Sequence, residues 1–231
     1  PEGRSYRSWV SFSDPDGNSW MVQEVKTRLP GRGLSSIDVA NMTELLREAE
    51  ERHGEYEPTA PKHHWSAWYA AYIVARERGK AQEDAVKAAE AALYSYKTGE
   101  VDVATSTKNL IAIVNGFGLS SDELVSIFDQ INQAQNRFGI GIGDTEAGLA
   151  KAAGTYKNAG GDLDYLLGLF VAIQKATGRS GTEIGTGIAR AVQRIREPIS
   201  IEKLQAQGIE VDPQDFQKTL QNALKRAKTG Q

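Results

Sequence analysis

After Pro30-Gly31-Arg32-Gly33 the apolar residues stop alternating and begin to recur every three or four positions. A period near two belongs to a strand with one buried face, and a period near 3.6 to a helix with an apolar stripe. The switch restricts any sheet to the start of the chain and commits everything beyond it to helix. The expected fold is mainly α, a multi-helix bundle or array with a short N-terminal β-hairpin.

The hairpin reading rests on two alternating runs. Tyr6, Ser8, Val10 and Phe12 alternate with Arg7, Trp9 and Ser11, and Trp20, Val22 and Glu24 alternate with Met21, Gln23 and Val25. Between them, Ser13-Asp14-Pro15-Asp16-Gly17-Asn18 has the residue types that favour a turn. Strand is expected only within about residues 5–27. A lone hairpin is marginal in water, so this one needs something to pack on.

From there the chain reads as capped helices with glycine stops. Ser35 or Ser36 can cap a helix reaching about His53, with Ile37, Leu45, Leu46 and Ala49 as its stripe. Pro58 and Pro61 mark a loop, and further helices are expected over about 63–78, 82–97 and 104–115. Ser120-Ser121-Asp122-Glu123 is a capping box ahead of Leu124, Ile127, Phe128 and Ile131. Asp144 reads as the cap of a small-residue helix ending near Tyr156. Gly160-Gly161-Asp162 opens a helix carrying Leu163, Leu166, Leu167, Phe170 and Ile173 on one face. Ser180-Gly-Thr-Glu183 is a second capping box, ahead of Ile184, Ile188, Val192 and Ile195. Pro198 and Pro213 punctuate what reads as a looser tail ending in Lys225-Arg226-Ala227-Lys228. The spacing is too irregular for a named solenoid repeat.

Composition excludes several chemistries. Among 231 residues there is no cysteine, which removes disulfides, thiolate metal sites and cysteine nucleophiles. The net charge of −3 gives no basic field for nucleic acid or anionic membrane. Neither an apolar leader nor a run long enough to cross a bilayer is visible. The expected location is cytoplasmic, unless a larger assembly carries the protein out.

Few residues have the chemistry of a site. Glu24 is a strand carboxylate that either ligates a hard or borderline divalent metal or is simply an exposed strand residue. His53, His63 and His64 are the only histidines available to join it. His63 and His64 are adjacent, so on a helix they diverge by about 100° and cannot easily share an ion. Trp65, Trp68, Tyr69 and Tyr72 form one aromatic helix face, read either as a core stripe or as a wall for a ligand or partner. Phe138-Gly-Ile-Gly-Ile-Gly-Asp144 has glycines but follows a helix and lacks a Lys-Ser/Thr pair, so it reads as a helix–helix turn and not a phosphate loop. No serine–histidine–aspartate pattern is evident.

Two family resemblances divide the chain. "SWVSFSDPDGNSWMVQEV" resembles the final strands of the vicinal oxygen chelate superfamily, the glyoxalase/bleomycin-resistance fold. "TRLPGRG", "MTELLREAEERHGEYE" and "KHHWSAWYAAYIVARERG" look like the helical extension of some bacterial members, so this likeness covers about residues 1–85. It implies that Glu24 matches the family's last metal-ligand position, while the ligands of earlier strands have no counterpart here. The run from Ala104 to Ile195, with "NGFGL", "AGGDLDYLLGLF" and "TGRSGTEIGTGI", resembles the helical core of phage tail tape measure proteins. That likeness covers about residues 88–196, and the join falls near residues 80–97.

The resemblances imply a hairpin remnant over 1–33, a helical extension over 34–96 and a tape-measure-like helical domain over 97–231. The first reading is a structural fragment of a tape measure protein, without a complete catalytic site or cofactor. It would pack through its helices with itself or with tail partners, in the virion tail. The second is a remnant of a metal-dependent glyoxalase-like lyase or extradiol-type dioxygenase, with a divalent ion at Glu24. A metal site of that kind needs about three protein ligands, and Glu24 supplies one.

Overall fold

The computed structural model describes residues 9–13, 19–23, 39–60, 62–98 and 101–229. The chain divides into two units, Pro1–Glu44 and Leu45–Gln231. In the first, strands β1 (Trp9–Ser13) and β2 (Ser19–Gln23) run antiparallel, with Val10 opposite Val22 and Phe12 opposite Trp20. Residues 14–18, read as a turn, the Ser35/Ser36 cap and the candidate ligand Glu24 lie outside the described residues.

Ten helices make up the rest of the described chain. They are α1 (Val39–Tyr56), α2 (Trp65–Glu77), α3 (Gln82–Lys97), α4 (Val103–Phe117), α5 (Leu124–Phe138), α6 (Ile142–Lys157), α7 (Leu163–Thr177), α8 (Gly181–Arg194), α9 (Pro198–Ala206) and α10 (Phe216–Thr229). The protein is mainly α-helical, as the 3.6 periodicity predicts.

Helix boundaries follow local chemistry. Both expected capping boxes form, Ser120 with Glu123 and Ser180 with Glu183. Asp162 Oδ1 accepts from Tyr165 N at 2.7 Å at the start of α7, and Asp102 Oδ1 from Thr105 N at 2.9 Å at the start of α4. Each satisfies a backbone donor that the first helical turn leaves without a partner. The chain leaves α4, α5 and α7 through Gly118, Gly139 and Gly178, all at positive φ. Gly139 therefore serves the helix–helix turn expected of the Phe138–Asp144 stretch.

Two expectations need correction. Asp144 does not cap its own helix: α6 starts at Ile142 behind Gly141, and Asp144 lies in its first turn. Its Oδ1 instead accepts from Gly181 N at 2.9 Å, so it serves the first turn of α8. The tail after Pro198 is not loose but forms α9 and α10. It is held by Phe216 N donating to Ala159 O at 2.9 Å and Arg196 Nη2 to Asn158 O at 2.8 Å.

One continuous core extends from Ala49 to Phe216. Of the residues expected in it, Leu124, Ile127, Phe128, Leu166, Phe170, Ile188 and Val192 are buried, and Ile173 is partly buried against them. Helices α2, α3 and α4 pack on one another, so the expected boundary at 96/97 does not coincide with a break in packing. At the centre, α6 lies between α4 and α8. A Cβ on Gly116 would come within 2.6 Å of Ala153 Cβ, and one on Gly185 would run into the carbonyl oxygen of Gly148. Gly185 meets bare backbone, and Gly116 meets the Ala153 methyl group and the backbone of Gly154.

Candidate functional site

Polar groups in the helical unit gather in three places. The first joins α1 to α2. Arg76 Nε donates to Glu48 Oε2 at 2.8 Å and Nη2 to Oε1 at 3.2 Å, and the Tyr72 hydroxyl also donates to Oε2. The Arg76 fork holds the Glu48 carboxyl below its ordinary range. Trp68 and Tyr72 are fully buried and stacked at 5.1 Å between ring centres, while Trp65 is 56% exposed. The aromatic face therefore divides into a core stripe and one outward indole.

The second lies beside it, where His53 Nε2 and His63 Nε2 stand 2.9 Å apart. The ring centroids are 5.1 Å apart, close to the most that this separation and two ring radii allow, so the nitrogens meet head-on. This is the geometry of a single shared N–H···N bond, in which one ring donates and the other accepts. A metal ion bonded to both nitrogens would have to force them apart. Burial of His53 pushes its pKa below the ordinary value, opposed by Glu57 and reinforced by His63. His64 instead caps α2, its Nδ1 accepting from Ser66 N at 3.3 Å. His63 and His64 precede α2 and do not lie on a helix as expected; they part because His64 caps α2 while His63 meets His53, a pairing that depends on the loop between α1 and α2.

The third place is Glu146, on α6 and fully buried. Its Oε1 accepts from Ser95 Oγ on α3 at 2.6 Å and from Ser106 Oγ on α4 at 2.9 Å. Its Oε2 is buried without a hydrogen-bond partner among the described residues. Desolvation pushes the pKa up to about 7, with the two serine hydroxyls pulling against it. Sequence reasoning missed this residue. A usable signal existed, because Glu146, Leu149 and Ala153 follow one another at three and four positions on the face that α6 buries.

Among the described residues no group of three or more histidine, aspartate or glutamate side chains is placed to hold a metal ion. None of the described helices is long and apolar enough to cross a membrane. These polar groups tie one helix to another: half-buried Glu48 to Arg76 between α1 and α2, and buried Ser95 and Ser106 to Glu146 among α3, α4 and α6.

Such an arrangement defines a helical protein in which polar side chains join neighbouring helices. Residues 66–230 match the family described as phage-related minor tail protein, and the chain belongs to that family. The match runs without interruption through residues 80–97, where the two resemblances suggested a join. It begins beyond most of the stretch likened to the vicinal oxygen chelate fold, and no comparison supports that likeness. No solved structure matches the chain.

Proposed function

We propose that this chain is a structural part of a phage tail, a segment of a tape-measure-type minor tail protein that packs through its helices with itself or with other tail proteins. The observation that carries the reading is the reach of the family match, which takes in α2 through α10 in order. The polar pairs, half-buried at Arg76–Glu48 and buried at Glu146, support it, since each links neighbouring helices.

The test is made in a phage whose tail gene encodes this segment. Mass spectrometry of purified virions should find peptides from residues 66–230 in the tail fraction. In-frame removal of residues 45–229 should shorten tails in proportion, as measured by negative-stain microscopy. Tails of unchanged length but reduced number would leave a minor tail role and remove the tape-measure one. Virions lacking the segment, with normal tails, would overturn both.

A further inference from the structure

Helix α7 is apolar around most of its circumference, yet only part of that surface is covered. Leu166, Phe170 and Val171 are buried, whereas Asp164, Gly168, Ala172, Lys175 and Ala176 are exposed. At about 100° per residue these five fall within one arc of about 120°, centred near Gly168 and Ala172, and the sixth exposed residue, Thr177 at the helix end, lies outside it. A Cβ on Gly168 would meet nothing within 4 Å, so packing inside this chain does not require a glycine there. A groove of about 390 Å³ against α5 flanks this ridge on one side, and one of about 330 Å³ against α10 on the other. Phe138, 41% exposed, lines the first groove, and Leu224, 49% exposed, lines the second.

The charges on the ridge indicate what covers it. Asp164 and Lys175 are eleven positions apart, which on a helix places them within about 20° of the same line, three turns apart. Among the described residues, neither has an ion-pair partner. A two-fold axis lying across the ridge keeps each residue on its own side and reverses its position along the helix. With that axis between Gly168 and Ala172, Asp164 of one copy comes opposite Lys175 of the other, and the same pair repeats at the far end. Gly168 then faces Ala172, and small side chains there allow helix axes to approach to about 8 Å. A two-fold axis along the ridge, which makes the helices parallel, would carry both charges to the opposite side of the seam and leave Asp164 and Lys175 without an opposite charge to face. The ridge is thus self-complementary in one orientation only, which is the requirement of an isologous interface.

We propose that the exposed face of α7 is a self-association surface, which takes a second copy of this chain antiparallel and centred between Gly168 and Ala172. The pairing gives a surface to the self-packing part of the tail reading and rests on it there, while the solution test below reads the dimer alone.

The full chain is examined by sedimentation velocity over a range of concentrations, with far-ultraviolet circular dichroism as the check on folding. A concentration-dependent monomer–dimer equilibrium is expected, weakening as salt rises. Asp164→Lys and Lys175→Asp should each raise the dimer dissociation constant about tenfold, since symmetry turns two attractive pairs into two repulsive ones. The double swap should restore the dimer, because the pairs re-form with their signs exchanged. Gly168→Gln should abolish it while leaving the helical signal unchanged. A monomer at every concentration overturns the proposal, and so does a dimer that the single swaps weaken but the double swap fails to rescue.

Discussion

Glu146 shows how a single buried acid couples folding to pH. Its pKa is raised from 4.5 to about 7 in the folded chain, so ionising it is harder there than in the unfolded chain. Below about pH 4.5 the group is neutral in both states and imposes no electrostatic cost on folding. As pH rises the unfolded chain loses its proton first, and the fold is penalised progressively until about pH 7. By linkage that penalty reaches roughly 3 kcal/mol. Glu146→Gln remains neutral throughout. Its stability relative to the parent should therefore climb between about pH 4.5 and 7 and then level off, as read from denaturant midpoints across that range. A flat difference would mean that the carboxyl is solvated in the fold. The metal reading of Glu24 can be tested at the same scale. One carboxylate falls short of the roughly three protein ligands a catalytic ion needs, and His53 and His63 direct their Nε2 atoms at each other. Metal analysis of the purified protein should find no stoichiometric divalent ion, and the same content after Glu24→Ala.

Between elements, two glycines of α8 behave in opposite ways. Gly185→Ala would drive a methyl group into the Gly148 carbonyl across the α6–α8 seam. Overpacking of this sort costs roughly 1–3 kcal/mol when only side chains must move, and here the obstacle is backbone. Gly187, two residues on in the same helix, has open space where a Cβ would stand. Alanine there should instead stabilise by about 0.5–1 kcal/mol, because glycine is a poor helix former. Thermal melts of the two variants should move in opposite directions. This scale also separates what was legible in the sequence from what was not. The capping boxes at Ser120 and Ser180 and the Asp162 cap could be read from a few adjacent residues, because the interaction that fixes them is local. Asp144 has the same chemistry as Asp162, yet its partner is Gly181, far along the chain, and no local pattern reveals that. The tail was misread for a related reason. Pro198 was taken as a breaker, whereas it occupies the first turn of α9, where a missing N–H costs nothing. Glu146 was overlooked because a lone glutamate among alanines and glycines looks like a solvated helix position until α3 and α4 are laid against it.

Across the whole molecule, the shared core from Ala49 to Phe216 makes a statement about cooperativity. Helices α2 and α3 were expected to form an extension apart from the later helices, yet they pack on α4 in the same cluster. Trp68→Ala in α2 and Phe170→Ala in α7 remove fully buried rings at distant points of that cluster. Each should cost about 3–5 kcal/mol. Both should lower the same single transition when helical circular dichroism is followed on heating. Two transitions, one responding to each substitution, would show that the two parts fold separately.

The close approach of α6 to α4 and α8 also has a mechanical consequence. Where side chains lie between two helices, a small pull is absorbed by rotamers that swing at little cost. Where Gly185 meets the Gly148 carbonyl, and where Gly116 meets the Ala153 methyl group and the Gly154 backbone, no such cushion exists, and relative sliding has to bend bond angles or twist peptide planes, whose resistance grows with the square of the displacement. The three helices should therefore take tension or shear as a single stiff strut, with compliance left to the loops and to helices that meet through longer side chains.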